Sequence, residues 1–296
     1  MIKKVLFSAS VNHDIIKNVV KKLKIIKNFD LIVHDPTEDF LDLENLQELF
    51  EKVDYLIVKV ANERSIDLLH YAKLHDIPSL HDIDTVLMCK NKVALDNALR
   101  KTFKSNPDMV KKFLIPKSWV HSLLDVNKFK QWAAPHLPIV IKSHYQHDKY
   151  MRFNFLVKEM KEIDDFCKKY PHFLYYDVYI QEFIECDGID RKIYVIGDKV
   201  FGIKRENPIY IYMRDKPNDI DVDMVQRKDF EVSSSIKNLA SILSNELKLK
   251  IFGFDLIKPI KDKRYYLIDL NEFPGLRGIN KIDEVLANFL KDHVNS

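Results

Sequence analysis

The chain has 296 residues, 46% of them hydrophobic and 31% charged, with a formal net charge of +3. That length suits about two to three compact units, and no apolar run approaches the roughly 18 residues a membrane-spanning helix needs. So small a positive excess argues against broad nucleic-acid binding, but fits basic residues gathered around a small polyanion. Cys89, Cys167 and Cys186 are scattered, with no Cys-x-x-Cys pair, and read as reduced thiols rather than disulfides or a zinc site.

In chain order, "KKVLFSA" predicts a buried first strand, its apolar stretch being too short for a signal peptide. "HDIIKNVVKKLKII" and "DFLDLENLQELFEKV" both carry apolar residues at helical spacing. "DYLIVKV" predicts a strand, and "SIDLLHYAKLHDIPSL" a helix that exits at Pro78. Strands alternating with helices predict a doubly wound parallel sheet, an α/β unit over residues 1–84.

"NKVALDNALRKTF" predicts a helix, "FLIPKSWV" and "LPIVIKSH" strands, and "VKEMKEIDDFCKKY" another helix. "DVYIQEFIE" reads as a strand running into a loop. In "RKIYVIGDKVFGIKRE" a two-residue turn at Gly197-Asp198 pairs Ile196 with Lys199 and Lys192 with Ile203. Lys192, Tyr194, Phe201 and Arg205 then share one face. Residues 206–232 are polar and poorly periodic, and read as a long loop or lid. "SIKNLASILSNELKL" predicts a helix, and "IFGFDLI" and "RYYLIDLNEF" the last strands. The whole reads as an α/β unit followed by two β-rich α+β units, residues 85–180 and 181–296.

Asp255 lies mid-strand in "FGFDLI", where an unpaired carboxylate is costly to bury. Asp269 and Asn271 point the same way from "LIDLNEF" because strand residues alternate faces. Together they offer hard oxygen ligands, which suit magnesium with phosphate oxygens completing the shell. Glycine-rich phosphate loops are absent from the sequence, so side chains must supply most phosphate contacts. Lys142 closes the strand "LPIVIK"; by itself it reads as a snorkelling surface lysine. Lys192 and Arg205 read either as a clamp or as a solvated sheet face. His75, His81 and His144 read as surface or satisfied core residues.

Taken in order, these segments resemble the inositol 1,3,4-trisphosphate 5/6-kinases, an inositol polyphosphate kinase family of the ATP-grasp superfamily. The run "DLNEFPG" is similar to the family's magnesium motif, "DYLIVKV" to its strand ending in a substrate lysine, and "IVIKSHYQH" to its ATP lysine followed by a substrate histidine. "QEFIECDGIDRKIYVIGD" resembles the hinge that holds adenine. Two departures stand out: Asp148 replaces the family's glycine after the histidine, and His13 is the nearest candidate for a missing N-terminal substrate lysine.

The resemblance implies an ATP-grasp fold and transfer of the γ-phosphate of ATP to a hydroxyl of a phosphorylated inositol. Asp255, Asp269 and Asn271 would be the metal ligands, for two magnesium ions, and with Lys142 and His147 the catalytic set. Lys90, Lys92, Lys142, Gln181, Phe183, Ile184 and Arg205 would contact ATP. His13, Lys59, His147, Lys192 and Gly275 would contact the acceptor. A cytoplasmic monomer with no nucleic-acid partner and no membrane insertion is expected. The competing expectation is an ATP-grasp carboxylate–amine ligase of the ribosomal-protein-modifying or lysine-biosynthesis type, working through an acyl phosphate; Lys59 and Lys192 stand where such ligases tend to carry arginine.

Overall fold

A computed structural model of the protein describes residues 2–27, 29–145, 153–216, 221 and 224–295. It begins with β1 (Lys3–Ser8), α1 (Asp14–Lys24), β2 (Phe29–His34), α2 (Leu46–Leu49), β3 (Tyr55–Val58), α3 (Glu63–Leu74) and α4 (Ile83–Lys90). The strands form a parallel sheet in the order β2-β1-β3. Alternation sends Val5, Phe7 and Ile57 to one face with α1, and Leu6, Leu56 and Val58 to the other with α3. Helices therefore cover both faces, as a doubly wound unit requires.

The helix expected across "DFLDLENLQELFEKV" shrinks to α2. The Asp42 carboxylate accepts the Glu44 backbone N–H at 3.1 Å and the Asn45 side-chain N–H at 2.9 Å. These local turn bonds compete with helical ones, and the helix starts only at Leu46.

Next come α5 (Lys92–Ser105), β4 (Phe113–Leu114), β5 (Ser118–Ser122), α6 (Val126–Ala133), β6 (Ile139–Lys142), β7 (Asn154–Val157), α7 (Lys161–Lys169) and β8 (Asp177–Glu182). Four of these strands pair antiparallel in the order β5-β8-β6-β7. "FLIPKSWV", expected as one strand, is two strands in different sheets. Pro116 has no N–H to give a ladder, and the chain turns from one sheet to the other there.

The last part holds β9 (Ile189–Ile196), β10 (Lys199–Glu206), α8 (Pro208–Asp215), β11 (Arg227–Asp229), α9 (Ser234–Glu246), β12 (Ile251–Ile257), β13 (Tyr265–Glu272) and α10 (Ile282–Asn295). The third sheet runs β11-β10-β9-β12-β13-β4. The β9–β10 hairpin pairs Ile196 with Lys199 and Lys192 with Ile203, the register its Gly-Asp turn predicts. Part of the segment read as a long loop or lid is helical: the Asn207 side chain accepts the Ile209 N–H, Pro208 opens α8, and Lys216 ends it at φ 45°.

One face of this sheet packs Ile193, Val195, Phe252 and Phe254 against α5 and α9. Although α5 and β4 lie within the segment read as the central unit, both join the third sheet through this core. The other face packs Tyr194, Ile196 and Ile251 with α10 and with the α1 side of the N-terminal sheet. That same face carries the site.

Candidate active site

Three neighbouring strands build a polar row. Asp255 on β12 pairs directly with Lys192 on β9 and with Asp269 on β13. Cross-strand partners share a face, so the three side chains stand in line. Asn271, two residues beyond Asp269, joins the same face. Lys192 Nζ lies 2.5 Å from Asp255 Oδ2, Lys92 Nζ pairs with Asp269 Oδ1, and Asn271 Nδ2 donates to Asp269 Oδ2 at 2.9 Å.

Burial acts on Asp269 to push its pKa up. The ammonium groups of Lys92 and Lys142, and hydrogen bonds from Lys92 and Asn271, outweigh it and hold the carboxyl well below its ordinary value. Burial pushes Lys192 down, but the Asp255 charge wins and raises it. The row thus sets two neighbouring carboxylates between the ammonium groups of Lys192 and Lys92.

Lys142 is not a snorkelling surface residue. It is buried, and its ammonium donates to Gln181 Oε1 at 2.7 Å and to the Ile268 carbonyl at 3.1 Å. Burial pushes its pKa down to about 8, against the pull of Asp269. Those acceptors arrive from 39 and 126 residues away in sequence, so nothing near Lys142 announces them.

Lys90 and Lys92 part company. Lys92 holds Asp269, whereas Lys90 pairs with buried Glu272 at 2.7 Å. Glu272 faces away from Asp269 by strand alternation. Lys90 therefore lies across β13 from the row, held by Glu272.

Arg205 lies opposite Asp190 and 3.4 Å from its carboxylate, and Asn207 Nδ2 donates to the same group at 2.6 Å. Burial and the nearby Asp255 charge raise the Asp190 pKa. Asp190 was missed from sequence. The signal was available, because the hairpin register that aligns Lys192 with Arg205 also puts Asp190 beside them.

The N-terminal unit meets this site at the turn after β13. A Cβ on Gly275 would lie 3.6 Å from His13 Nε2, and Lys59 Nζ lies 6.0 Å from the centre of the Phe273 ring. His13, Lys59 and Gly275 therefore gather at one place. The turn holds Phe273 at φ 36° and Leu276 at φ 55°, both strained for side-chain-bearing residues. Such strain costs roughly 1–3 kcal/mol per residue. Both side chains are buried in the shared core, worth about 1.5–3 kcal/mol each, so burial holds the turn in shape. His147 lies outside the described residues.

Residues 183–188 link the four-stranded sheet to β9. Phe183 donates its N–H to the Pro138 carbonyl at 3.1 Å, and Phe183 and Ile184 are half-buried. Gln181, just before them, is buried against Lys142.

The donor chemistry fits magnesium. Asp255 and Asp269 supply hard carboxylate oxygens that already attract cations, and Asn271 uses its NH2 on Asp269, so its amide oxygen is not spent in that bond. Among the described residues no three His, Cys, Asp or Glu side chains are grouped to hold a metal. Two carboxylates with an amide is the sparse set that magnesium uses when phosphates and water complete its octahedron.

Comparison with known proteins bears on the fold and the family likeness. Residues 211–292 match the inositol 1,3,4-trisphosphate 5/6-kinase ATP-grasp domain. An inositol-tetrakisphosphate 1-kinase 1 of Arabidopsis thaliana is 27% identical over 177 residues, covering 49% of this chain and 55% of that protein. Its namesake from Oryza sativa subsp. indica is 31% identical over 129 residues, 38% of this chain and 36% of that one. The matched stretches span about half, or less, of these curated relatives. Among solved structures, D-alanyl-alanine synthetase A of Vibrio cholerae superposes with a TM-score of 0.70 at 13% identity, covering 100% of this chain and 98% of that one. The RimK domain ATP-grasp protein of Sphaerobacter thermophilus gives 0.69 at 12%, covering 99% and 100%. The fold is ATP-grasp, and residues 211–292 carry the chain's likeness to the inositol 1,3,4-trisphosphate 5/6-kinases within it.

Proposed function

We propose that the chain transfers the γ-phosphate of ATP to a hydroxyl of a phosphorylated inositol. The observation that carries this reading is the row Lys192–Asp255–Asp269 with Asn271 beside it, and His13 and Lys59 at the turn that follows β13. It combines a magnesium-type oxygen set with the ammonium groups of Lys192 and Lys92.

Magnesium, when bound to Asp255, Asp269 and Asn271, supplies charge neutralisation at the β- and γ-phosphate oxygens. Lys142 and Arg205 contact phosphate oxygens from the two sheets. Lys92 and Lys192 exchange their carboxylate partners for phosphate oxygens as substrates enter. Lys59, Lys192 and a protonated His13 grip the acceptor's phosphates, and the fixed turn at Phe273–Leu276 keeps the acceptor in line. Positioning and charge compensation supply most of the rate in phosphoryl transfer. Residues 1–84 then furnish the acceptor side and the two later units the nucleotide side.

The test is product identification. The protein is incubated with ATP and Mg2+ and either a panel of inositol phosphates or amino acids with glutamate-ending peptides. The expected product is an inositol phosphate carrying one more phosphoryl group. An amide product, or turnover of ATP with neither acceptor, overturns the reading in favour of a ligase or another acceptor.

A further inference from the structure

Among the described residues, the buried Lys142 ammonium donates to one side chain, the amide of Gln181, and to the Ile268 carbonyl. An amide can turn either its oxygen or its NH2 to a neighbour. Against an ammonium group only the oxygen is tolerable. The structure contains a device that chooses.

Tyr179 and Gln181 lie two apart on β8 and share a face, and Lys142 pairs with Tyr179 across the strands. Gln181 Nε2 donates to Tyr179 Oη at 3.3 Å, and Tyr179 Oη donates to Asp96 Oδ1 at 2.9 Å. Asp96 comes from α5, one turn beyond Lys92. Its carboxylate also takes Arg100 Nε at 2.6 Å, Arg100 Nη2 at 3.2 Å and Ser118 Oγ at 2.9 Å. Held by a guanidinium and a hydroxyl, an ionised carboxylate only accepts. The tyrosine proton must then point to Asp96, which leaves Oη a lone pair for the Gln181 NH2. The Gln181 oxygen is left for Lys142. Each donor-to-acceptor step in this chain permits one direction only.

We propose that Tyr179 and Asp96 are positioning residues that fix the flip of the Gln181 amide, so that its oxygen faces the Lys142 ammonium and holds it ready for ATP. This rests on the reading of Lys142 as a phosphate contact; it does not depend on which acceptor receives the phosphate. A small cavity lined by Lys92, Asp96, Tyr179, Gln181, Ile268 and Asp269 adjoins the relay, so the relay sits against the metal-binding row.

The experiment measures affinity for a non-hydrolysable ATP analogue with Mg2+, together with KM for ATP and kcat, in a double-mutant cycle on the full chain. Tyr179→Phe frees the amide to flip, and affinity and KM for ATP weaken about tenfold, the scale of one charged hydrogen bond, while kcat changes much less. In the Gln181→Glu background both side-chain oxygens accept, so no flip can go wrong. There the Tyr179→Phe effect shrinks to about threefold or less, a coupling that a packing role would not produce. An unchanged affinity in Tyr179→Phe, or an equal loss in both backgrounds, overturns the proposal while leaving the functional reading intact. If Tyr179→Phe does not fold, Asp96→Asn reads the same contact, because its amide can donate to Tyr179 and reverse the chain. A wild-type chain that binds no ATP analogue overturns the functional reading, and this inference with it.

Discussion

Lys59 shows how a single residue is judged by its neighbours. It follows the first sheet's β3, anchors its N–H on Ser8 at 2.9 Å, and carries its ammonium toward Phe273 in the turn after β13. It is a lysine of one unit placed beside the turn of another. Replacing Lys59 with Ala is expected to raise KM for a phosphorylated inositol by about tenfold or more, the scale of one charge-assisted contact, and to leave KM for ATP nearly unchanged. Steady-state kinetics with each substrate varied in turn checks this; an equal effect on both removes Lys59 from the acceptor site. At this scale the sequence was legible where chemistry follows local alternation. Asp269 and Asn271 share a face because they are two apart, and a carboxylate in mid-strand needs a partner. It was opaque where the partner is remote. Lys92 reaches Asp269 across 177 residues, and Tyr179 reaches Asp96 across 83. Burial of Lys142 was misjudged for the same reason.

At the scale of elements, α5 joins the four-stranded and six-stranded sheets. It brings Lys92 to Asp269 and Asp96 to Tyr179, and its start is set by Asn91, whose side chain accepts the Val93 and Ala94 N–H groups at 3.0 Å each. Asn91→Ala is expected to cost about 1 kcal/mol of stability through the lost cap. It is also expected to raise KM for ATP severalfold, because the first helical residue is Lys92. Chemical denaturation and nucleotide kinetics read the two effects; a loss of stability with unchanged KM would show that α5 does not position the site. Helix and strand identity were mostly readable from periodicity, and the β9–β10 register followed from a two-residue turn. The failures have local causes: the Asp42 turn bonds that cut α2 short, Pro116 between two sheets, and the Asn207–Pro208 start of α8 inside a polar segment whose weak periodicity hid it.

For the whole molecule, the N-terminal unit is fastened to the third sheet by a buried core and by His81. The His81 ring lies 4% exposed, and its Nε2 accepts the backbone N–H groups of Lys250 and Ile251 at 3.0 and 3.2 Å. An Nε2 that accepts has no proton, so the ring is neutral. Burial is the main cause that lowers its pKa, from 6.5 to about 4. Because the folded chain takes the proton less readily than the unfolded one, this contribution is complete above about pH 6.5. It is lost as pH falls from there to about 4. The loss comes to about 3 kcal/mol. Denaturation midpoints measured from pH 7 to pH 4 are expected to fall in the wild type and to fall less in His81→Gln, whose amide oxygen keeps an acceptor without titrating. Parallel slopes in the two proteins would contradict the assignment. The sequence reading placed His81 among surface or satisfied core histidines; its role in fastening two units depends on backbone groups 169 and 170 residues away, which no local pattern reveals.

The central claim is that Asp255, Asp269 and Asn271 converge on a divalent ion shared with the triphosphate of ATP. Calorimetric binding of a non-hydrolysable ATP analogue, with and without Mg2+, to the wild type and to Asp269→Asn tests it most directly. The account predicts that Mg2+ tightens binding to the wild type by about tenfold or more, and that Asp269→Asn, folded to the same melting temperature within a few degrees, loses that enhancement. An equal Mg2+ enhancement in both proteins would contradict it.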